Sequence, residues 1–274
     1  MKRLLMGVAL CGCLSIFAVA TALPSHAGDE DSAAARQGRW QDIEQTLFGK
    51  RLATPGPSVV SLDAPYRAAD ASLVPITITL DPTKPIKGLY VVIDDNPSPV
   101  AAHYTFGPAA YPHVIKMRVR VNDYTNVHAV AEMQDGKLLE ATKFVKAAGG
   151  CSAPMTMSEQ EAMKGMGEMR MKFARNVAAD KPLNATLMVR HPNFNGMQMN
   201  QLTRYYTPAR YIKTIKVQDG DKTVFTLASD ISLSSNPVIG FEMAPHSAGP
   251  VTVSVIDSDK GHWQQTFTIP VATN

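Results

Sequence analysis

The sequence predicts an all-β chain: two β-sandwich domains joined by a Met-rich, helical linker and preceded by a short N-terminal helix. Three observations carry that prediction. Short runs alternate apolar with polar residues, the period of strands with one buried face. Clusters of Gly, Pro, Asn and Asp separate the runs and supply turns. The runs fall into two groups, divided by a stretch past Cys151 in which the pattern changes abruptly.

The chain opens with an export signal. Met1-Lys2-Arg3 is a basic start, Leu4 to Ala20 is apolar, and Ser25-His26-Ala27 places small residues where signal peptidase cuts. Cleavage is expected after Ala27, into the periplasm. Leu10-Cys11-Gly12-Cys13 is a weak lipobox, because the apolar run continues past Cys13. The run ends in a cleavage site, not a stop-transfer pattern, so no membrane anchor is expected. Cys11 and Cys13 then leave with the signal, and the mature chain keeps Cys151 with no internal disulfide partner.

Asp31 to Lys50 reads as a helix, with Trp40, Ile43, Leu47 and Phe48 on one face and Gly49 as its stop. Val74, Ile76, Ile78 and Leu80 then alternate with Pro75, Thr77 and Thr79. KGLYVVID follows a Pro-rich turn. In VIKMRVRVN, Ile115, Met117, Val119 and Val121 oppose an outward row of Lys116, Arg118 and Arg120. That row reads as a solvated strand face. NVHAVAEM and LLEATKFV flank Asp135-Gly136, a strong hairpin signal.

KAAGGCSAP, residues 146–154, places Cys151 behind Gly149 and Gly150 and ahead of Pro154. No apolar alternation surrounds it, so an exposed, mobile loop is expected. Ser158 to Asn176 reads as helical or partly helical, with Ser158 and Glu161 at capping-box spacing and loosening at Gly165 and Gly167. A second set of strands follows: NATLMVR, YIKTIKV, KTVFTLA, PVIGFEM, PVTVSVID and HWQQTFTIP. The boundaries are therefore 1–27 for the signal peptide, 28–148 for the first sandwich with its helix, 149–180 for the arm and linker, and 181–274 for the second sandwich.

Composition excludes little but points away from some partners. The formal net charge of +3 is nearly balanced, so neither nucleic acid nor a membrane surface is called for. His103, His113, His128, His191, His246 and His262 are scattered at no zinc-ligand spacing and read as surface or turn residues. No nucleophile elbow, phosphate loop or dinucleotide fingerprint occurs in a strand-to-helix setting, and no cofactor is expected.

Two chemistries compete for what is left. Cys151 is an unpaired exported thiol, and a thiolate is a strong nucleophile near neutral pH. Lys143 and Lys146 lie near it in sequence but read as solvated strand-end lysines. Alternatively, Met155, Met157, Met163, Met166, Met169 and Met171 crowd the linker, and thioethers select Cu(I). Against that copper-handling alternative, methionines pack irregular gaps more often than they bind metal. A scaffold sandwich without chemistry is disfavoured only by the placement of Cys151.

Several stretches resemble one family. WQDIEQTLFGKR, ITITLDPTKPIKGLYVVIDDNPSPVAAHYTF and the block ending in VKAAGGC resemble SoxY, the sulfur-compound carrier of bacterial thiosulfate oxidation. MVRHPNFNGMQM, YTPARYIKTIKVQDGDKTVF, SSNPVIGFEM and VTVSVIDSDKGHWQQTF resemble its partner SoxZ. The resemblance implies two immunoglobulin-like sandwiches paired within one chain. It implies a carrier, not an enzyme, that holds sulfur intermediates covalently on Cys151, with Gly149 and Gly150 as the flexible arm. The implied partners are sulfur-oxidation enzymes or cytochromes, and a quinoprotein dehydrogenase system with which such fusions are associated. In SoxY glycines lie on both sides of the cysteine and the arm ends the chain. Here Ser152-Ala153-Pro154 follow and the chain continues.

Overall fold

The computed structural model describes residues 32–154, 157–174, 181–201, 203–244 and 249–269. The signal segment and Met155 lie outside them. In the first half, helix α1 (Ala33–Phe48) precedes β1 (Ala53–Pro55), β2 (Val60–Asp63), β3 (Val74–Leu80) and β4 (Ile86–Ile93). The half is completed by β5 (Val100–Phe106), β6 (Val114–Val119), β7 (Thr125–Met133) and β8 (Leu138–Val145). The second half begins with a short helix α2 (Glu159–Met163), then β9 (Met169–Phe173), β10 (Leu183–Val189) and β11 (Ile212–Asp219). It ends with β12 (Lys222–Ser229), β13 (Val238–Met243), β14 (Pro250–Asp257) and β15 (His262–Thr268).

The fold is all-β with a short N-terminal helix, and its two halves are joined more intimately than two packed sandwiches. Nine strands form one sheet in the order β1-β8-β7-β4-β5-β12-β11-β14-β15, and six form the other, β2-β3-β6-β13-β10-β9. Both sheets therefore run through both halves. β5 pairs antiparallel with β12, Phe106 opposite Phe225 through Ala102 opposite Ser229, and β6 meets β13 at Lys116 opposite Gly240. These pairings cover four strand edges, those of β5, β12, β6 and β13, that separate sandwiches would have to protect.

One apolar cluster fills the space between the sheets and crosses the seam. It includes Ile78, Leu89 and Tyr104 from the first half and Ile215, Phe225 and Phe241 from the second. Tyr104 meets Phe225 edge-on at 5.3 Å, and Phe225 meets Phe241 edge-on at 5.0 Å. Each such ring adds roughly 1.5–3 kcal/mol of burial, so the seam is a continuous core.

Helix α1 lies on the outer face of the nine-stranded sheet. Ser32 caps it by accepting from Ala35 N–H, and Trp40 and Phe48 pack on Val92, Val130 and Leu138. Ile43 and Leu47 are only partly buried, while Glu44 is buried and its carboxylate accepts the N–H of Ala53 at the start of β1. A residue polar in sequence is thus the helix's tie to the sheet.

The linker differs from its expectation. The Ser158 capping box forms as read, with Glu161 N–H donating to Ser158 Oγ at 3.2 Å, but α2 is only five residues long. Gly165 and Gly167 then take φ of 69° and 90° and turn the chain away. Met169–Phe173 is a strand, pairing antiparallel with β10 from Met169 opposite Val189 to Phe173 opposite Ala185. Much of the anticipated helix is thus a strand of the second half. Among the described residues, no helix is long and apolar enough to cross a membrane.

Candidate functional site

The site forms where β6 ends at the seam. Arg120 N–H donates to the Ser232 carbonyl at 2.8 Å, and Val121 N–H donates to the Ala71 carbonyl at 2.8 Å. Asn96 ties the turn: its amide donates to the Arg120 carbonyl at 2.7 Å and to Ser232 Oγ at 2.9 Å, and its Oδ1 accepts Asn122 N–H at 2.8 Å. Residues of both halves are therefore committed to one small stretch of backbone.

The cysteine segment docks on that stretch. Gly149 N–H donates to the Asn122 carbonyl at 2.8 Å and Gly150 N–H to the Val121 carbonyl at 3.0 Å. Ser152 N–H closes a turn onto the Gly149 carbonyl at 3.1 Å, with Gly149 at φ 75°. A Cβ on Gly150 would stand 2.1 Å from the Ala71 carbonyl oxygen and 2.5 Å from that of Val121. From the other half, Asn195 donates its side-chain amide to the Cys151 carbonyl at 2.5 Å.

This arrangement corrects two expectations. Cys151 is 0% exposed, not displayed on a bare loop. Gly150 serves close packing in this state: it is glycine because the segment lies tight against two carbonyls. The sequence signals of a loop were real, but the segment's hydrogen bonds are satisfied at the seam.

Arg120 also departs from the outward row. Lys116 and Arg118 are exposed, but Arg120 follows the last residue of β6 and is 2% exposed. Strand alternation ends with the strand, so parity no longer predicts its direction. One terminal guanidinium nitrogen donates to the Asn193 carbonyl at 3.0 Å, and Nε has no partner. Among the described residues, no carboxylate stands within ion-pair distance of it, which leaves a buried positive charge beside the cysteine. Burial pushes the Cys151 thiol up, and the Arg120 guanidinium pulls against that shift. Lys143 is exposed, and Lys146 sits over the rings of Tyr66 and Tyr124 at 5.4 and 5.7 Å. The cation that acts on the thiol is therefore Arg120.

Asn193 is in turn held by His191. Asn193 N–H donates to His191 Nδ1 at 3.1 Å, so the ring carries its proton on Nε2, which faces Asp257 Oδ2 at 3.4 Å. Arg210 Nε donates to the same oxygen at 2.7 Å. Burial holds His191 below its ordinary value, so it stays neutral. The Arg190-His191-Pro192 stretch is thus a structural support that reaches Arg120 through Asn193.

His128 is the second buried histidine that the sequence had placed at the surface. It lies between Asp94 and Glu140 at 3.2 Å each and stacks on Trp40 with 3.7 Å between centroids. Burial opposes its charge, but the hydrogen bonds to the two carboxylates outweigh that and raise it above its ordinary value. His246 lies outside the described residues.

Among the described residues, the linker methionines are spread over α2, β9 and the turns beside them. Met169 and Met171 share one face of β9, Met169 at 4% exposure within the core and Met171 packed against it. Met157 is exposed, and Met163 and Met166 are partly buried. Packing accounts for the two on β9. Among the described residues, no group of three or more His, Cys, Asp or Glu is placed to hold a metal ion.

Beside the docked segment lies a cleft of about 260 Å³, lined by Asp70, Arg120, Pro154, Met157, Arg190 and Gln198 among others. It opens at the seam, with walls from both halves.

Comparison with known proteins divides the chain at the same place. Residues 44–151 match the family model of sulfur oxidation protein SoxY, and residues 170–268 match that of sulphur oxidation protein SoxZ. No curated protein matches the chain. Among solved structures, the sulfur carrier protein SoxY from Chlorobium limicola f thiosulfatophilum is similar at 23% identity and a TM-score of 0.36, covering 42% of this chain and 96% of that one. A β-glycosidase from Bacteroides vulgatus is similar at 9% identity and a TM-score of 0.24, covering 77% of this chain and 24% of that one.

Proposed function

The chain belongs to the fused SoxYZ-like proteins, a SoxY domain and a SoxZ domain in one polypeptide, and from that premise we propose a carrier that holds sulfur intermediates covalently on Cys151. The observation that carries this reading is that the SoxY match ends on Cys151, the one cysteine among the described residues, with Arg120 buried beside it. The carrier is not itself an enzyme. Partner enzymes of sulfur oxidation load it and unload it.

The carrier reading calls for two states, of which the docked one is seen. In the docked state the thiol is covered, and burial favours the neutral form, which protects it from stray reaction. Delivery requires the segment to leave its seat, breaking the bonds of Gly149, Gly150 and Asn195. Positive φ at Gly149 marks a pivot where glycine turns freely. Because the chain continues past Pro154, the segment bows outward as a loop held at both ends.

Loading has a defined balance. Joining the thiolate to the outer sulfur of thiosulfate forms one S–S bond and releases two electrons, so it needs a two-electron acceptor of the cytochrome class. Exchange with tetrathionate needs none: the thiolate attacks an inner sulfur, one S–S bond forms, one breaks, and thiosulfate leaves. Arg120 is the cation available to the anionic product.

Export to the periplasm through a signal cleaved after Ala27 belongs to the same reading, as does a link to a quinoprotein dehydrogenase system. Incubating the reduced mature protein with tetrathionate tests the chemistry. The expected result is one S–SO₃ addition that reductant removes and that Cys151→Ser lacks. Absence of the addition under conditions that unlock the segment would overturn the reading.

A further inference from the structure

We propose that the cleft beside Cys151 is a non-covalent receptor site for a small inorganic oxyanion, built by Arg120, Gln198 and Arg190. The proposal deepens the carrier reading by giving the anionic cargo a seat, and rests on it only for the identity of the anion.

Two unsatisfied groups point to a ligand. Arg120 is 2% exposed, has no carboxylate at ion-pair distance among the described residues, and leaves Nε without a partner. A guanidinium buried without a counter-ion is costly, and its fork of donors suits an oxyanion. Gln198, 7% exposed, also lines the cleft, and its Oε1 has no partner. The two ends of its amide interchange by rotation, so the flipped side chain turns its N–H donors toward a bound anion. Buried polar atoms are rarely left unpaired, and here two such residues line one cleft.

The charges around the cleft agree. Arg190 stands exposed on its rim, with Nε donating to the Lys164 carbonyl. Asp70 is the opposing charge, but it is exposed, and its Oδ1 already accepts Ser72 N–H at 2.8 Å and Ser72 Oγ–H at 2.7 Å. Solvent screens it more than it screens Arg120. Pro154 joins the cysteine segment to the same wall, so a sulfonate end attached to Cys151 and a free oxyanion would reach for the same donors.

Equilibrium dialysis of the mature Cys151→Ser protein against labelled thiosulfate, and separately sulfate, tests the site without the thiol. Saturable binding at one site is expected, at least tenfold weaker in Arg120→Met and several-fold weaker in Gln198→Leu and Arg190→Gln. Arg120→Met also loses the bond to Asn193 and is open to misfolding. Gln198→Leu removes an amide whose oxygen has no partner and decides the matter in that case. No saturable binding by Cys151→Ser, or binding unchanged in Gln198→Leu, would overturn the proposal. Neither result bears on covalent loading, which is read separately at Cys151 by mass.

Discussion

The side-chain amide of Asn195 donates to the backbone carbonyl of Cys151 at 2.5 Å, so a residue of the second half latches the reactive segment of the first. Fusing the two domains fixes this contact within one molecule, where it does not depend on concentration.

Removing the latch should expose the thiol. A hydrogen bond of this kind contributes about 1 kcal/mol net, which corresponds to roughly a fivefold shift in a two-state opening. Asn195→Ala is expected to raise the rate of thiol labelling by a disulfide reagent about that much, with the thermal midpoint little changed. An unchanged rate would mean that the latch does not control access.

Gly150→Ala is expected to do more. Its Cβ has no room against the Ala71 and Val121 carbonyls, so the segment should be driven off its seat. Labelling should become fast and nearly independent of Asn195, which a double-variant comparison would read.

Arg120 should set the pH profile of the thiol. Burial raises Cys151 and Arg120 opposes it, so Arg120→Met should move ionisation of the docked thiol, followed by thiolate absorbance, to higher pH, while Arg120→Lys retains part of the wild-type profile. A profile unchanged in Arg120→Met would remove the arginine from the account.

The buried His128 predicts a pH dependence of stability. Its folded value lies above the ordinary 6.5, because Asp94 and Glu140 outweigh burial. Its contribution is therefore fully present below the unfolded value and is lost as pH rises through the folded one. Urea unfolding from pH 5.5 upward should show that loss in the wild type and not in His128→Gln. His191 has the opposite sign, its contribution being lost as pH falls, so the difference between these two proteins isolates His128.

The continuous sheets predict one cooperative unfolding transition. Tyr104, 0% exposed and packed on Phe225, couples the halves, and Tyr104→Ala should cost about 3–5 kcal/mol across the whole transition. Two separable transitions in calorimetry would show that the seam is not a shared core.

Strands and hairpins were legible because one face of each is buried and the other wet, as in β3, whose Val74, Ile76, Ile78 and Leu80 face the core. The seam was not, because pairing of β5 with β12 joins residues over a hundred positions apart and leaves no local trace. The strand β9 was readable in hindsight: Met169, Met171 and Phe173 alternate with Arg170 and Lys172, but methionine and lysine are good helix formers and the capping box lay just before them. At the site, the sequence singled out Cys151 and its glycines through their unusual surroundings. It missed Arg120, Asn195 and Gln198, whose roles come from where a strand ends and where two halves meet.

The central claim is that Cys151 carries sulfur covalently in the cell. Intact-mass analysis of the protein, isolated without reductant from its own host, tests it most directly. The account predicts sulfur-containing additions that reductant removes and that Cys151→Ser lacks. A uniformly unmodified thiol from cells actively oxidising sulfur compounds would contradict it.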